Sequence, residues 1–215
     1  MSVMTEYAMY AKTFIGILSI VNPLGAIPVF LSLSVDRSPD ECRKIARISA
    51  VAVAVILLAA AWTGDTMLAF FGISLPAFRT GGGLLILLMA IAMMHARQSH
   101  AKQSPEEADA NLEKDDIAVV PLAIPLMAGP GAISLVIVEA HHAAATGLME
   151  RLLLSGCIVL VACAAWLSLR LAEPIGKRLG TTGLNIGIRI MGLLLCAIGV
   201  QMIAEGLKQL FPALG

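Results

Sequence analysis

Apolar residues in this 215-residue chain fall into long unbroken runs, not into the spaced patterns of half-exposed helices or strands. Six stretches stand out, at about 10–33, 45–62, 77–94, 117–138, 150–172 and 187–206. Each is near the roughly 20 residues a helix needs to cross a bilayer core of about 30 Å. The third and sixth are dense in Leu, Ile and Met. Between the second and third, Thr63–Leu75 carries Asp65 and Gly72 and predicts a short connection. The long polar stretch at 95–116, with Arg97, Lys102, Glu106, Glu107, Asp109 and Asp116, predicts a solvated linker between two halves of three spans each. The chain is expected to be one transmembrane domain, 1–215: repeat one at 1–94, the linker at 95–116, and repeat two at 117–215.

Two of the apolar runs are interrupted near their middles. The first carries Asn22-Pro23-Leu24-Gly25-Ala26-Ile27-Pro28, and the fourth carries Ala128-Gly129-Pro130-Gly131-Ala132-Ile133. Proline has no backbone N–H and clashes with the carbonyl four residues earlier, so helices one and four must kink or split. Pro23 frees the carbonyl of Ser19, Pro28 that of Leu24, and Pro130 that of Leu126. The residues after each break start a new half-helix with unpaired N–H groups and the positive end of its dipole.

The halves also resemble each other elsewhere. Gly72-Ile73-Ser74 leads to Arg79 and Gly82 ahead of span three, and Gly183-Leu184-Asn185 leads to Arg189 and Gly192 ahead of span six. Three spans per copy is odd, so the second copy must enter the membrane from the opposite side. The predicted fold is all-α, six transmembrane helices in two inverted three-helix repeats, with helices one and four broken. Arg37, Arg43, Lys44, Lys102, Lys114, Arg170, Lys177 and Arg178 fall in connections one, three and five. The positive-inside rule puts those connections in the cytoplasm and both termini outside.

Composition agrees with a membrane protein: 58% of residues are hydrophobic and 14% charged, with mean hydropathy +0.86. Zero net charge gives no footprint for nucleic acid. Glu6 ahead of the first cation, Lys12, and a polar break inside the first apolar run do not fit a cleaved signal. Cys42, Cys157, Cys163 and Cys196 lack C-x-x-C spacing and read as core-packing thiols.

Paired broken helices in corresponding halves point to a substrate site at mid-membrane. Gly25, Gly129 and Gly131 would let a ligand reach bare backbone, beside Asn22, Pro23 and Pro130. A small zwitterion suits such a place, its carboxylate on half-helix N–H groups and its ammonium on freed carbonyls. Ser19 and Ser134 are further candidates, although serine also bonds back to its own helix. Asn22 could hold a ligand or cap the new half-helix. Arg79 and Arg189, at matching repeat positions, are candidates for a gating or structural charge, against simple snorkelling to the interface. Asp65, Glu139 and Glu205 lie near span ends and read as interfacial. Glu139-Ala140-His141-His142 lacks H-E-x-x-H spacing and falls in a predicted connection, so no metal or other cofactor is expected. No nucleophile–base pair suggests an enzyme.

These residues carry a resemblance to a known family. Phe14-Ile15-Gly16 leading to Val21-Asn22-Pro23-Leu24-Gly25-Ala26-Ile27-Pro28-Val29-Phe30 resembles the first-span signature of the MarC family of bacterial inner-membrane proteins. Val120-Pro121-Leu122-Ala123-Ile124-Pro125-Leu126-Met127-Ala128-Gly129-Pro130-Gly131-Ala132-Ile133-Ser134 resembles its fourth-span signature. Phe78-Arg79 through Gly83 and Arg189-Ile190-Met191-Gly192-Leu193 also match, in the manner of the YchE-like branch. The resemblance implies a six-span inner-membrane protein with a periplasmic N-terminus. An archaeal member is described as a transporter of small neutral amino acids such as glycine and alanine. By that likeness Asn22, Pro23, Gly25, Gly129, Pro130 and Gly131 would line a substrate site.

The sequence therefore predicts a secondary transporter of small neutral amino acids working by alternating access. Its partners would be a zwitterionic substrate, a coupling ion (sodium or proton), the lipid bilayer, and further copies of itself in a homo-oligomer. The rival readings are an ion or metal exporter, which would want acidic or imidazole groups at mid-membrane, and a non-transporting membrane scaffold.

Overall fold

The computed structural model describes residues 3–34, 37–94 and 126–211, with side chains from Tyr10 onward except Leu33. The linker 95–116 and the first part of the fourth predicted span lie outside them, as do Pro121 and Pro125. The described residues form helices and connections, without strands: α1 (Val3–Val21), α2 (Pro23–Leu33), α3 (Pro39–Phe70), α4 (Leu75–Met94), α5 (Pro130–Thr146), α6 (Leu148–Arg170) and α7 (Ala172–Leu210). Five stretches are long and apolar enough to cross a membrane: Tyr10–Ser32 (α1 with α2), α3, α4, α6 and α7.

Polar contacts fix how the helices run. Tyr10 of α1 hydrogen-bonds to Glu150 at the start of α6. Arg151 donates to the carbonyls of Ala61 and Trp62 in α3, each at 3.1 Å. His141, late in α5, meets Asp65 at 2.8 Å. The starts of α1, α4 and α6 and the ends of α3, α5 and α7 thus share one end of the bundle. The α2–α3 connection with Arg37, and the adjoining helix ends with Arg43, Lys44, Arg170, Lys177 and Arg178, lie at the other.

Helix α5 is the centre. Gly131, Ala132, Ser134, Leu135, Val136, Ile137, Val138 and Ala140 are all buried, on every side of the helix, as expected of a helix enclosed by others. It packs on α1, α3, α4 and α6. Outward, α3, α4, α6 and α7 expose large apolar side chains such as Val55, Phe70, Leu84, Leu88, Leu160, Leu193 and Val200. In water such a belt would drive aggregation; facing lipid it is the solvent-matched surface.

The tightest packing joins α4 and α7, which run antiparallel. Gly192, Gly199 and Gly206 are seven residues apart on α7 and face Ala90, Gly83 and Pro76, also seven apart on α4. A Cβ on Gly83 would lie 2.8 Å from the Gly199 carbonyl oxygen, and a Cβ on Gly199 would lie 2.9 Å from that of Gly83. The backbones touch. In lipid, where apolar burial gives no drive between helices, such close approach supplies the packing that holds them. Of the run Gly81–Gly83, Gly82 and Gly83 are closely packed, while nothing lies within 4 Å of a Cβ built on Gly81.

Several boundaries differ from the hydropathy pattern. The second span runs to Phe70, so Asp65 sits in helix, and the connection to α4 is short. What ends α3 is Gly72 at φ 65°, with Ile73 N–H bonded to the Leu68 carbonyl and Gly72 N–H to that of Ala69. That is a Schellman ending, which needs a left-handed residue at Gly72. The sixth span is longer than 187–206, because α7 starts at Ala172 and bends at Gly180, φ 61°. Glu139-Ala140-His141-His142 lies within α5, not in a connection. All four cysteines are free, but Cys163 is exposed on α6 and so is not a core thiol.

Candidate functional site

Asn22 sits between α1 and α2 in a left-handed conformation, φ 46° and ψ 61°. Its own N–H still bonds to the Leu18 carbonyl at 2.9 Å, closing α1. Its side-chain oxygen accepts from the Gly25 N–H at 3.2 Å, capping α2, whose first residue is Pro23. Both sequence rules are visible here: Asn tolerates the left-handed region, and Pro suits the first helical position. Gly25 is required for space, since a Cβ there would meet the Asn22 side-chain nitrogen at 2.1 Å. The first span is thus split, as the proline predicts, and Asn22 is the cap. Pro28 falls inside α2.

The second break is built differently. Gly129 is the cap residue of α5, extended at φ −75° and ψ 176°, with Pro130 first in the helix and no side chain capping the N-terminus. Residues Leu126 to Gly129 approach it outside α-helical geometry. Gly129 and Gly131 are buried.

The two breaks meet. A Cβ on Gly131 would touch Ile20 of α1 at 3.2 Å, two residues before Asn22, and Met89 and Ile86 of α4 at 3.1 and 3.3 Å. The Asn22 amide nitrogen lies 4.0 Å from the Met93 sulfur, one turn further along α4. Asn22 and Gly131 therefore both meet the second half of α4, with Pro23, Gly25 and Gly129 next to them in sequence, while Pro130 is exposed. Ser134, a turn further on, is buried against Gly82. Ser19 is fully buried, and its hydroxyl has no hydrogen-bond partner among the described residues. An unmet hydroxyl in so apolar a place costs about 1–3 kcal/mol.

Arg79 and Arg189 part company. Arg189 is exposed on α7. Arg79 lies at the shared end of the bundle with its side chain only 8% exposed, 3.0 Å from Glu205 and 2.5 Å from the His142 ring nitrogen Nε2. The repeat in sequence does not make the two arginines equivalent. Sequence reasoning treated Glu205 as interfacial and gave His142 no partner. The register was available in the glycines: once Gly206 faces Pro76 and Thr80, its neighbour Glu205 falls opposite Arg79.

A bundle with an apolar belt, a largely buried central helix, and the α1–α2 break meeting the start of that helix inside it is a multi-pass integral membrane protein. The comparisons narrow the class. The model of the MarC family integral membrane protein matches residues 7–211, and the chain belongs to that family. It is 38% identical over 209 residues to the UPF0056 membrane protein YhcE of Escherichia coli, covering 97% of this chain and 96% of that one. It is 41% identical over 199 residues to the UPF0056 membrane protein MJ1677 of Methanocaldococcus jannaschii, covering 93% and 96%. With YvbG of Bacillus subtilis it shares 33% over 210 residues, covering 97% and 98%. No solved structure matches.

Proposed function

We propose that the protein is a secondary transporter of small neutral amino acids, of the glycine and alanine class, in a bacterial inner membrane. The observation that carries this is the meeting of the two helix breaks, through Ile20 and Gly131, inside an otherwise apolar bundle. Split helices cost hydrogen bonds and packing, and without a ligand two of them in one place have no purpose. The α5 N-terminus, free of a side-chain cap, offers N–H groups and a positive dipole end to a carboxylate. The unmet Ser19 hydroxyl and the carbonyl released by Pro23 suit an ammonium. Glycine at 131 brings Ile20, Ile86 and Met89 onto bare backbone, within 3.3 Å of where a Cβ would lie.

In this proposal residues 1–94 and 117–215 are inverted repeats that alternate access to the site. The cation-rich end, with Arg37, Arg43, Lys44, Lys177 and Arg178, faces the cytoplasm, and both termini face the periplasm. Coupling would be to sodium or protons.

The test is counterflow of labelled glycine or alanine in proteoliposomes, varying sodium and pH gradients independently. Saturable flux is expected, lost in Gly131→Leu. A wild type with no saturable flux of any small amino acid would refute the proposal.

A further inference from the structure

At the shared end of the bundle, α1, α4, α5 and α7 enclose a cavity of about 170 Å³. It is separate from the helix breaks: Gly16, Leu135 and Ile198 form its floor, with Leu135 and Ile198 each 3.8 Å from a Cβ on Gly16. Gly16 lies six residues before Asn22, or about 9 Å along the helix at 1.5 Å per residue. The wall carries two cations and two carboxylates: Lys12 and Arg79, Glu139 and Glu205.

These charges are incompletely used. Arg79 Nη1 lies 3.0 Å from Glu205 Oε2, and its Nη2 lies 2.5 Å from His142. Its Nε–H is buried, with no acceptor among the described residues. Glu205 is occupied on both oxygens, since Oε1 accepts from Gln201 at 2.8 Å. Among the described residues Glu139 holds only a long bond from the Thr13 hydroxyl, 3.2 Å to Oε2. The wall thus carries the Arg79 guanidinium and Lys12, the latter at the rim, beside a spare acceptor on Glu139. A carboxylate is the acceptor that best suits a guanidinium, through charge-assisted hydrogen bonds.

We propose that this cavity is a second zwitterion site, on the periplasmic side of the helix breaks. The carboxylate of a small amino acid binds Arg79 and Lys12, and its ammonium binds Glu139. The inference rests on the transport reading for its substrate class. Balanced wall charges favour a neutral ligand with separated charges over a simple anion or cation. The volume of about 170 Å³, about that of five or six waters at 30 Å³ each, admits alanine. An amino acid held here waits one apolar layer from the breaks.

The test is equilibrium binding of labelled L-alanine to the full-length protein in lipid nanodiscs, with propionate and ethylamine as single-charge competitors. The wild type is expected to bind two alanines per chain, with neither competitor displacing both. Glu139→Gln, nearly isosteric, should remove one of the two or weaken it at least tenfold. Lys12→Gln, at an exposed rim where folding is not at stake, should weaken the same site several-fold. A wild type that transports alanine but binds one per chain, unaffected by Glu139→Gln, overturns the cavity and leaves the transport reading standing. Displacement by propionate as effective as by alanine overturns it too, since an anion alone would then suffice. Two-site binding without flux supports the cavity and refutes the transporter.

Discussion

Adding one carbon at Gly199 should loosen the whole α4–α7 pair. An alanine Cβ there would lie 2.9 Å from the Gly83 carbonyl oxygen and 3.0 Å from the Leu87 nitrogen, both backbone atoms that no rotamer change can move. Carbon–oxygen contacts between helices normally sit at about 3.3–3.6 Å, so the helices must part by roughly half an ångström. A gap of that size forfeits about a quarter of the dispersion energy of the atoms across it. In lipid that dispersion is most of what joins two helices. Overpacking of this kind costs about 1–3 kcal/mol. Alanine also gains up to about 1 kcal/mol over glycine in helix propensity, so a control is needed. Gly81→Ala on α4 provides it, because nothing lies within 4 Å of its Cβ and it shares the propensity gain. The expected difference between Gly199→Ala and Gly81→Ala is therefore about 1–3 kcal/mol, or very roughly 2–12 °C in Tm for a chain of this size. Size-exclusion of heat-challenged protein in detergent measures it. If Gly199→Ala and Gly83→Ala melt at or above Gly81→Ala, the glycine register is wrong.

Two further predictions concern single side chains. Asn22→Ala should lose about 1–2 kcal/mol, from the cap to Gly25 and from a left-handed residue with a Cβ, whereas Asn22→Gly should lose only a few tenths; if Asn22→Gly keeps its Tm but loses flux, the amide touches substrate, and equal Tm losses in both variants would refute the capping account. Arg79→Gln should destabilise by about 1–3 kcal/mol, less than a fully buried pair because Glu205 is 42% exposed; the double variant with Glu205→Gln should recover part of that in a thermal-stability cycle, and strict additivity would show that the pair is not coupled.

Much of this molecule is legible in its hydropathy, for a physical reason. A bilayer forces each crossing to satisfy its own backbone, so length and apolarity identify spans almost unaided. Proline and glycine chemistry located the breaks at Asn22 and Gly129 just as directly. The errors lie at ends. Asp65 reads as a stop, yet α3 continues because His141 meets its carboxylate and Gly72 is what turns the chain. Glu139 to His142 read as a connection for a related reason. Because α5 starts at Pro130, only its last turns reach the bundle's end, and they carry the polar groups that meet Thr13, Asp65 and Arg79. The difference between Arg79 and Arg189 was not legible from the repeat. It depends on which helix faces are covered, and only the glycine spacing on α7 carried that information.

Stiff and soft contacts are kept apart in this fold. Helices α4 and α7 touch through backbone at Gly83 and Gly199, a contact that cannot slide by half an ångström without loss. The same α4 meets both helix breaks through Met89 and Met93, unbranched side chains that repack at little cost. Helix α2 reaches α7 by Leu24 against Gly187, at an ordinary 3.4 Å. A machine that opens one site to two sides must move elements that border the site while keeping others rigid. In this fold the soft contacts are those of Asn22 and Gly131 with the α4 methionines, and the rigid body against which α2 and the first turn of α5 would move is the glycine-packed pair α4 and α7, with the later turns of α5 held at Gly82 and Gly64. Replacing Met89 by Ile, stiffer at Cβ but equally apolar, should then slow flux more than it lowers Tm. A fall in Tm with unchanged flux would place the compliance elsewhere.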